Sequence, residues 1–137
     1  MLGIDHVGIA VPDLDAGQAP YAALGVRSVE DEEVPDQGVR VRLLDTGAGT
    51  IELLAPLAAD TPVGRFLASR GPGLHHLAFR VADVRHALEA AVSSGLRPID
   101  VVPRPGRAGS RVAFLHPRSV GGVLIELVEP ASGAVRP

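Results

Sequence analysis

Residues 4–14 read IDHVGIAVPDL, and residues 74–84 read LHHLAFRVADV. These are one phrase written twice, seventy positions apart. Each copy is followed by a second apolar phrase that carries an acid, TIELLAPL at 50–57 and LIELVEPA at 124–131. His6 precedes Glu52 by 46 positions, and His76 precedes Glu126 by 50. In each half a strand with a histidine is matched to a later strand with a glutamate. Two imidazoles and two carboxylates at equivalent places of a duplicated unit point to a metal site built across a pseudo-two-fold axis.

Alternation within these phrases assigns side chains to faces. His6, Gly8 and Ala10 share one face of the first strand, and His76, Ala78 and Arg80 share one face of its counterpart. The residue two after each histidine is small, which leaves the room a ligand cavity needs. His75 and His76 are adjacent and point to opposite faces; alignment with His6 selects His76. His75 aligns with Asp5 and is expected to be a polar partner or a packed histidine. Glu52 shares a face with Thr50 and Leu54, and Glu126 with Leu124 and Val128. An ionised carboxylate on so apolar a strand is costly unless it is paired or metal-bound. His116, in FLHPR, is read as a strand-end residue or as a support for the metal ligands, and His86 as a helix-surface residue.

After each histidine strand an aspartate, Asp13 or Asp83, stands where a helix N-cap is wanted, because a short acceptor there satisfies free backbone N–H groups. Helices are predicted over 14–24 and 84–94. Each is stopped by a glycine, Gly25 or Gly95, that tolerates the left-handed conformation after a helix end. Pro20 predicts a kink or a late start in the first helix. Three strands are predicted after each helix, at 26–34, 38–45 and 49–56, and again at 97–102, 110–116 and 122–129. The unit is β-α-β-β-β, twice, with a linking helix at 62–70 begun by Pro62. The stretch 103–111 reads as a basic, flexible loop, and 130–137 as a loose tail.

With 137 residues, the chain is expected to be one domain (1–137) of two modules, at 3–57 and 73–129. A half of about 65 residues is small for a core of its own, so the halves are expected to fold together. Cysteine is absent, which excludes disulfides and thiolate metal sites. Any metal must be held by nitrogen and oxygen, a donor set that suits Zn, Co, Ni, Mn or Fe better than Mg or Ca. All thirteen basic residues are arginines, so Schiff-base catalysis by a lysine is excluded. The net charge of −3 offers no basic footprint for nucleic acid. No apolar run of membrane length and no signal segment is found, and a cytoplasmic protein with no membrane partner is expected. Arg104, Arg107, Arg111 and Arg118 gather before the last glutamate. Guanidinium groups bind carboxylates and phosphates bidentately, so an anionic substrate with a phosphorylated tail is expected.

Taken together, DHVGIAV (5–11), PDQGV (35–39), IELLAPL (51–57), GLHHLA (73–78) and FLHPRSVGGVLIEL (114–127) make residues 3–129 resemble the vicinal-oxygen-chelate superfamily. Within it the chain is similar to the methylmalonyl-CoA epimerase family. The resemblance implies an α+β fold in which two tandem β-α-β-β-β modules form a curved mixed sheet around one central divalent ion (Co, Mn, Zn or Ni). It also implies an acyl-CoA substrate and a homodimer. His6, His76 and Glu126 fall on the family's metal-ligand positions, and Glu52 on the fourth. One branch of the family has glutamine at the place of Glu52 and a glutamate, proposed as a base, at the place of Val41. A second branch resembles this chain at both.

The implied reaction is inversion at C2 of (2R)- and (2S)-methylmalonyl-CoA. Loss of the C2 proton leaves an enolate that a Lewis acid stabilises. Return of a proton to the opposite face needs a second acid–base group, and Glu126 with Glu52 is the pair the pattern offers. Gln37, Arg104, Arg107, Ser110 and Arg111 are the candidate substrate-binding residues. A glyoxalase I-like enzyme acting on a glutathione hemithioacetal would use the same His/Glu/His/Glu set, although LLAPL follows Glu52 in place of the Asn/Trp-bearing phrase associated with that enzyme. An extradiol dioxygenase would need two histidines and one glutamate at iron, and usually a longer chain. A metal-free small-molecule binder of the same fold is a third alternative, against which the full set of four ligands argues.

Overall fold

The first copy of the repeated phrase forms strand β1 (Gly3–Ala10). Helix α1 (Leu14–Ala23) follows, with Ala16 N–H donating to Asp13 Oδ2 at 2.9 Å. The chain leaves α1 through Gly25 at φ +90°, as the left-handed exit requires. Pro20 lies inside α1, and the helix still begins at Leu14. Gly17 lets α1 settle on the sheet, because a Cβ there would come within 2.7 Å of Val11 Cγ1. Strands β2 (Arg27–Val34), β3 (Val39–Asp45) and β4 (Thr50–Pro56) lie within one residue of the expected bounds. Helix α2 (Pro62–Arg70) is capped by Thr61, whose Oγ1 accepts from Gly64 N–H at 3.1 Å.

The second copy forms β5 (Gly73–Arg80) and leads into α3 (Val84–Ser93). Asp83 caps α3 through His86 N–H at 3.0 Å, and Gly95 ends it at φ +95°. Glu129 adds a carboxylate at the same helix start, accepting from Val84 N–H at 2.9 Å. Strands β6 (Arg104–Pro105), β7 (Arg111–Leu115) and β8 (Ile125–Glu129) complete the order. Eight strands and three α-helices among the described residues make the chain α+β, with β-α-β-β-β present twice. The structure, a computed structural model, describes residues 1–132. Of the tail expected at 130–137, residues 133–137 lie outside the described ones.

The chain divides into two compact units, one of residues 6–75 and the other of residues 1–5 with the chain from His76 onward. Within the first, the strand order is β2-β3-β4-β1, with β1 parallel to β4 and the other pairs antiparallel. One face carries Val11, Leu44, Leu53 and Ala55 with Leu14 of α1; the other carries Ala10, Val34, Val39, Val41 and Leu54 with Val63 of α2. Leu44 and Leu53 are fully buried, and each contributes about 1.5–3 kcal/mol by leaving water.

The second unit repeats the pattern as β5-β8-β7-β6, with β5 parallel to β8. Val81, Ala113, Leu115, Ile125 and Leu127 pack with Val84 and Leu88 of α3 on one face, while Ala78, Val112, Phe114 and Val128 pack on the other. The initial residues are tied in by Leu2 N–H, which donates to Arg80 O at 2.8 Å.

The strand expected at 97–102 is not formed. Only a single bridge, Pro98 with Leu115, marks its place, and pairing resumes in the two-residue β6. The cause is local chemistry. Pro98 and Pro103 have no N–H to give to a ladder. The Phe114 N–H that a strand would have used donates to the Asp100 side chain at 2.8 Å. The loop 103–111 contains β6 and a turn over 107–109 closed by Ser110 N–H to Arg107 O at 3.0 Å. The final strand starts at Ile125 and not at 122, because Gly121 and Gly122 adopt positive φ. Among the described residues no helix is long and apolar enough to cross a membrane.

Candidate metal centre

In the first unit the parallel register of β1 and β4 sets Gly8 opposite Glu52 and Ala10 opposite Leu54. Gly8 has no side chain to crowd Glu52, and the carboxylate reaches the preceding residue of that face, His6. His6 Nδ1 lies 3.2 Å from Glu52 Oε2, with the two side chains only 4 and 8 % exposed. Leu43 stands opposite Glu52 on the other side, in β3.

The second unit builds the same arrangement. Ala78 is opposite Glu126 in the parallel register of β5 and β8. His76 Nε2 lies 3.0 Å from Glu126 Oε1, and both side chains are buried. Here the residue opposite Glu126 on the antiparallel side is Phe114, in β7. Its ring meets the His76 imidazole nearly perpendicularly, 84° between planes and 5.7 Å between centroids. Edge-to-face packing of this kind is favoured by the ring quadrupole.

Each unit thus pairs the histidine and glutamate that the repeat singled out. Both pairs present imidazole nitrogen and carboxylate oxygen on side chains shielded from water, the donor chemistry of a first-row divalent ion. Each pair offers one such nitrogen and one such oxygen. The other histidines go elsewhere. His75 packs edge-on against Phe66 at 4.9 Å, and the Arg70 guanidinium lies over that same Phe66 ring. His116 Nδ1 accepts from Arg118 N–H at 3.1 Å and so caps the turn at 117–119. His86 is exposed on α3. Val41 is buried in the apolar cluster beside Leu54, so no carboxylate stands at that place.

The candidate substrate residues are spread over turns and strand ends. Gln37 is half-buried in the turn after β2, and Ser110 and Arg107 are half-buried in the turn before β7. Arg111 and Arg118 are exposed. Arg104 is held more closely, with its Nε 3.3 Å from Asp100 Oδ1 and its guanidinium 5.7 Å from the centre of the Phe114 ring.

Three features were not read from the sequence. Asp100 falls within the strand expected at 97–102, yet its side chain organises β7. Asp5 is buried and pairs with Arg80, Oδ1 to Nε at 3.3 Å; its place one residue before His6, equivalent to His75, was the available signal. Arg42, on β3, bridges Asp31, Asp15 and Gln18 at 2.8 to 2.9 Å. The Arg42 hydrogen bond holds the Asp31 carboxyl below the usual carboxylate range.

A profile of the Glyoxalase/Bleomycin resistance protein/Dioxygenase superfamily matches residues 5–114. An ethylmalonyl-CoA/methylmalonyl-CoA epimerase of Cereibacter sphaeroides is 37% identical over 131 residues, covering 93% of this chain and 98% of that protein. The crystal structure of methylmalonyl-CoA epimerase from Mycobacterium tuberculosis matches with a TM-score of 0.88 at 46% identity, over 94% of this chain and 88% of that one. A variant of Streptomyces coelicolor methylmalonyl-CoA epimerase in complex with 2-nitronate-propionyl-CoA matches with a TM-score of 0.89 at 42% identity, over 96% of this chain and 99% of that one.

Proposed function

Because the chain belongs to the glyoxalase/bleomycin resistance/dioxygenase superfamily and, within it, to the methylmalonyl-CoA epimerase family, we propose that it inverts C2 of methylmalonyl-CoA at one metal site shared by His6, Glu52, His76 and Glu126. The observation that carries this reading is the duplicated His–Glu pair, buried and set at matched register in both units. In this reading the two modules work as one functional domain, and the chain acts as a homodimer, which sedimentation of the purified protein tests.

C2 lies between a thioester and a carboxylate, so loss of its proton places negative charge on the thioester oxygen. His6, Glu52, His76 and Glu126 would hold a divalent ion, which would supply Lewis-acid stabilisation of that charge. The chain's own work is the movement of the proton. One carboxylate, Glu126 or Glu52, takes it from C2 on one face. The other, loosened as a ligand and carrying a proton, returns one to the opposite face, so the pair exchanges roles between the two directions of reaction. Burial keeps water from the carbanion face and from the two carboxylates. Arg107 and Arg111 bind the anionic groups of the acyl-CoA, while Arg104 is engaged with Asp100 and Phe114, and Gln37 and Ser110 orient the acyl group.

Purified protein loaded with Co or Mn is expected to exchange the C2 proton of methylmalonyl-CoA in deuterated buffer, followed by NMR. Absence of exchange would remove the epimerase reading. Ethylmalonyl-CoA belongs in the same assay, since the Cereibacter sphaeroides relative is named for both substrates. Turnover of the methylglyoxal–glutathione hemithioacetal in place of methylmalonyl-CoA would assign the site to glyoxalase chemistry. Negligible divalent-ion content after loading would favour a metal-free binder.

A further inference from the structure

We propose that Asp100 and Arg104 are positioning residues that act through Phe114 to hold the His76–Glu126 pair in place; this rests on the reading of that pair as part of the metal site. Asp100 turns its two carboxylate oxygens to two neighbours. Its Oδ2 accepts the Phe114 N–H at 2.8 Å, and its Oδ1 faces Arg104 Nε at 3.3 Å. Arg104 in turn lies over the Phe114 ring, 5.7 Å from its centre, close enough for a cation–π contact. The carbonyl of Phe114 accepts from Ile99 N–H at 2.8 Å. Phe114 is therefore fixed at its backbone and at its ring by one short segment, residues 99–104.

The ring so fixed is the one that meets His76 edge-to-face, and the residue that bears it stands opposite Glu126. Rotation of the imidazole about its side-chain bonds would run into Phe114. The guanidinium restrains Phe114 from yielding.

The architecture does not need this device. The first unit has the same β-α-β-β-β topology and the same kind of pair, with Leu43 at the place of Phe114. There the edge is a full strand, β2, paired along its length with β3. In the second unit that edge is cut to the two residues of β6; the segment before it supplies Asp100, and β6 itself supplies Arg104. A group that merely closed the sheet would have taken the form seen in the first unit.

The test compares Arg104→Leu, Arg104→Lys and Asp100→Asn with the unaltered protein. Titration with Co²⁺ followed through its visible absorption bands reads the ligand geometry without any acyl-CoA. Steady-state assays then separate kcat from KM. Positioning predicts that Arg104→Leu shifts the cobalt bands and weakens cobalt binding by about tenfold, the lower end of what loss of a supporting contact to a metal ligand costs. It also predicts a comparable fall in kcat with KM nearly unchanged. Arg104→Lys keeps a cation over the ring and Asp100→Asn keeps an acceptor for the Phe114 N–H, so both fall between the extremes. If Arg104→Leu fails to fold by circular dichroism, these two carry the same comparison. Cobalt bands and affinity equal to those of the unaltered protein in every variant, with only KM raised, would overturn the proposal and leave Arg104 a plain substrate-binding cation. An unaltered protein that binds cobalt but exchanges no C2 proton would sink the epimerase reading, while the cobalt comparison still decides positioning. An unaltered protein that binds no cobalt would end both.

Discussion

The two halves repeat one topology and one donor pair, yet they surround the pair differently. In both, the glutamate faces a small residue across a parallel strand pair, Gly8 for Glu52 and Ala78 for Glu126. On the antiparallel side the halves part, with Leu43 beside Glu52 and Phe114 beside Glu126. The imidazoles also turn differently, since His6 meets its glutamate through Nδ1 and His76 through Nε2. The edge strands diverge most. β2 is a full strand whose charges engage Arg40 and Arg42, whereas β6 is a remnant beside a loop that grips Phe114. A repeated backbone pattern is thus enough to place the donors. How each donor is oriented and braced is decided by the strand next to it, which is free to diverge.

The largest expected effects test whether the two pairs are equivalent in use. Glu126→Gln and Glu52→Gln are each expected to slow C2 exchange by about 10²- to 10⁴-fold, the usual worth of a positioned acid–base group. Full activity in Glu52→Gln would break the equivalence and leave Glu126 to act with another proton carrier.

Next in size is the space opposite each glutamate. Gly8→Val and Ala78→Val force bulk against the neighbouring glutamate and should each cost about 1–3 kcal/mol, measured by urea unfolding. Each should also weaken metal binding. A loss of metal binding confined to one of them would show that only that half depends on the vacant place.

The smallest effect concerns the Arg42 network of the first half. Arg42→Ala should cost about 1 kcal/mol, since the guanidinium is largely buried and makes several charge-assisted contacts while its partners are more exposed. Asp31 carries the pH dependence. Its folded pKa lies below its unfolded one, so its contribution is present above the unfolded value, near pH 4, and fades as pH falls through the lower folded value. Because Asp31 is substantially exposed, that part amounts to a few tenths of a kcal/mol at most, about the size of a surface ion pair. The stability gap between unaltered protein and variant should therefore narrow slightly below pH 4. A gap that widened there would refute the assignment.

Much of this could be read along the chain. Asp13, Asp83, Gly25 and Gly95 mark helix ends because capping depends on hydrogen bonds made within a few residues. His6 and His76 were identified by repetition, and their glutamates by acid on an apolar strand. The expectation at 97–102 failed for an equally physical reason. Alternation of IDVV looks like a strand from within. Whether a strand forms depends on donors supplied by the neighbouring chain, and Asp100 had already taken the relevant one, the N–H of Phe114.

By itself the sequence determined the duplicated module, the nitrogen and oxygen donor set, and which histidine of His75 and His76 faces with the glutamate. These follow from spacing, the absence of cysteine and the two-residue period of a strand, all local properties. Only the tertiary structure decided which nitrogen of each imidazole meets its carboxylate, that His75 packs on Phe66, and that Phe114 is clamped between a guanidinium and His76. Those contacts join residues on different elements, nine to fifty positions apart, and their geometry is set by strand register and side-chain packing, which no local pattern records.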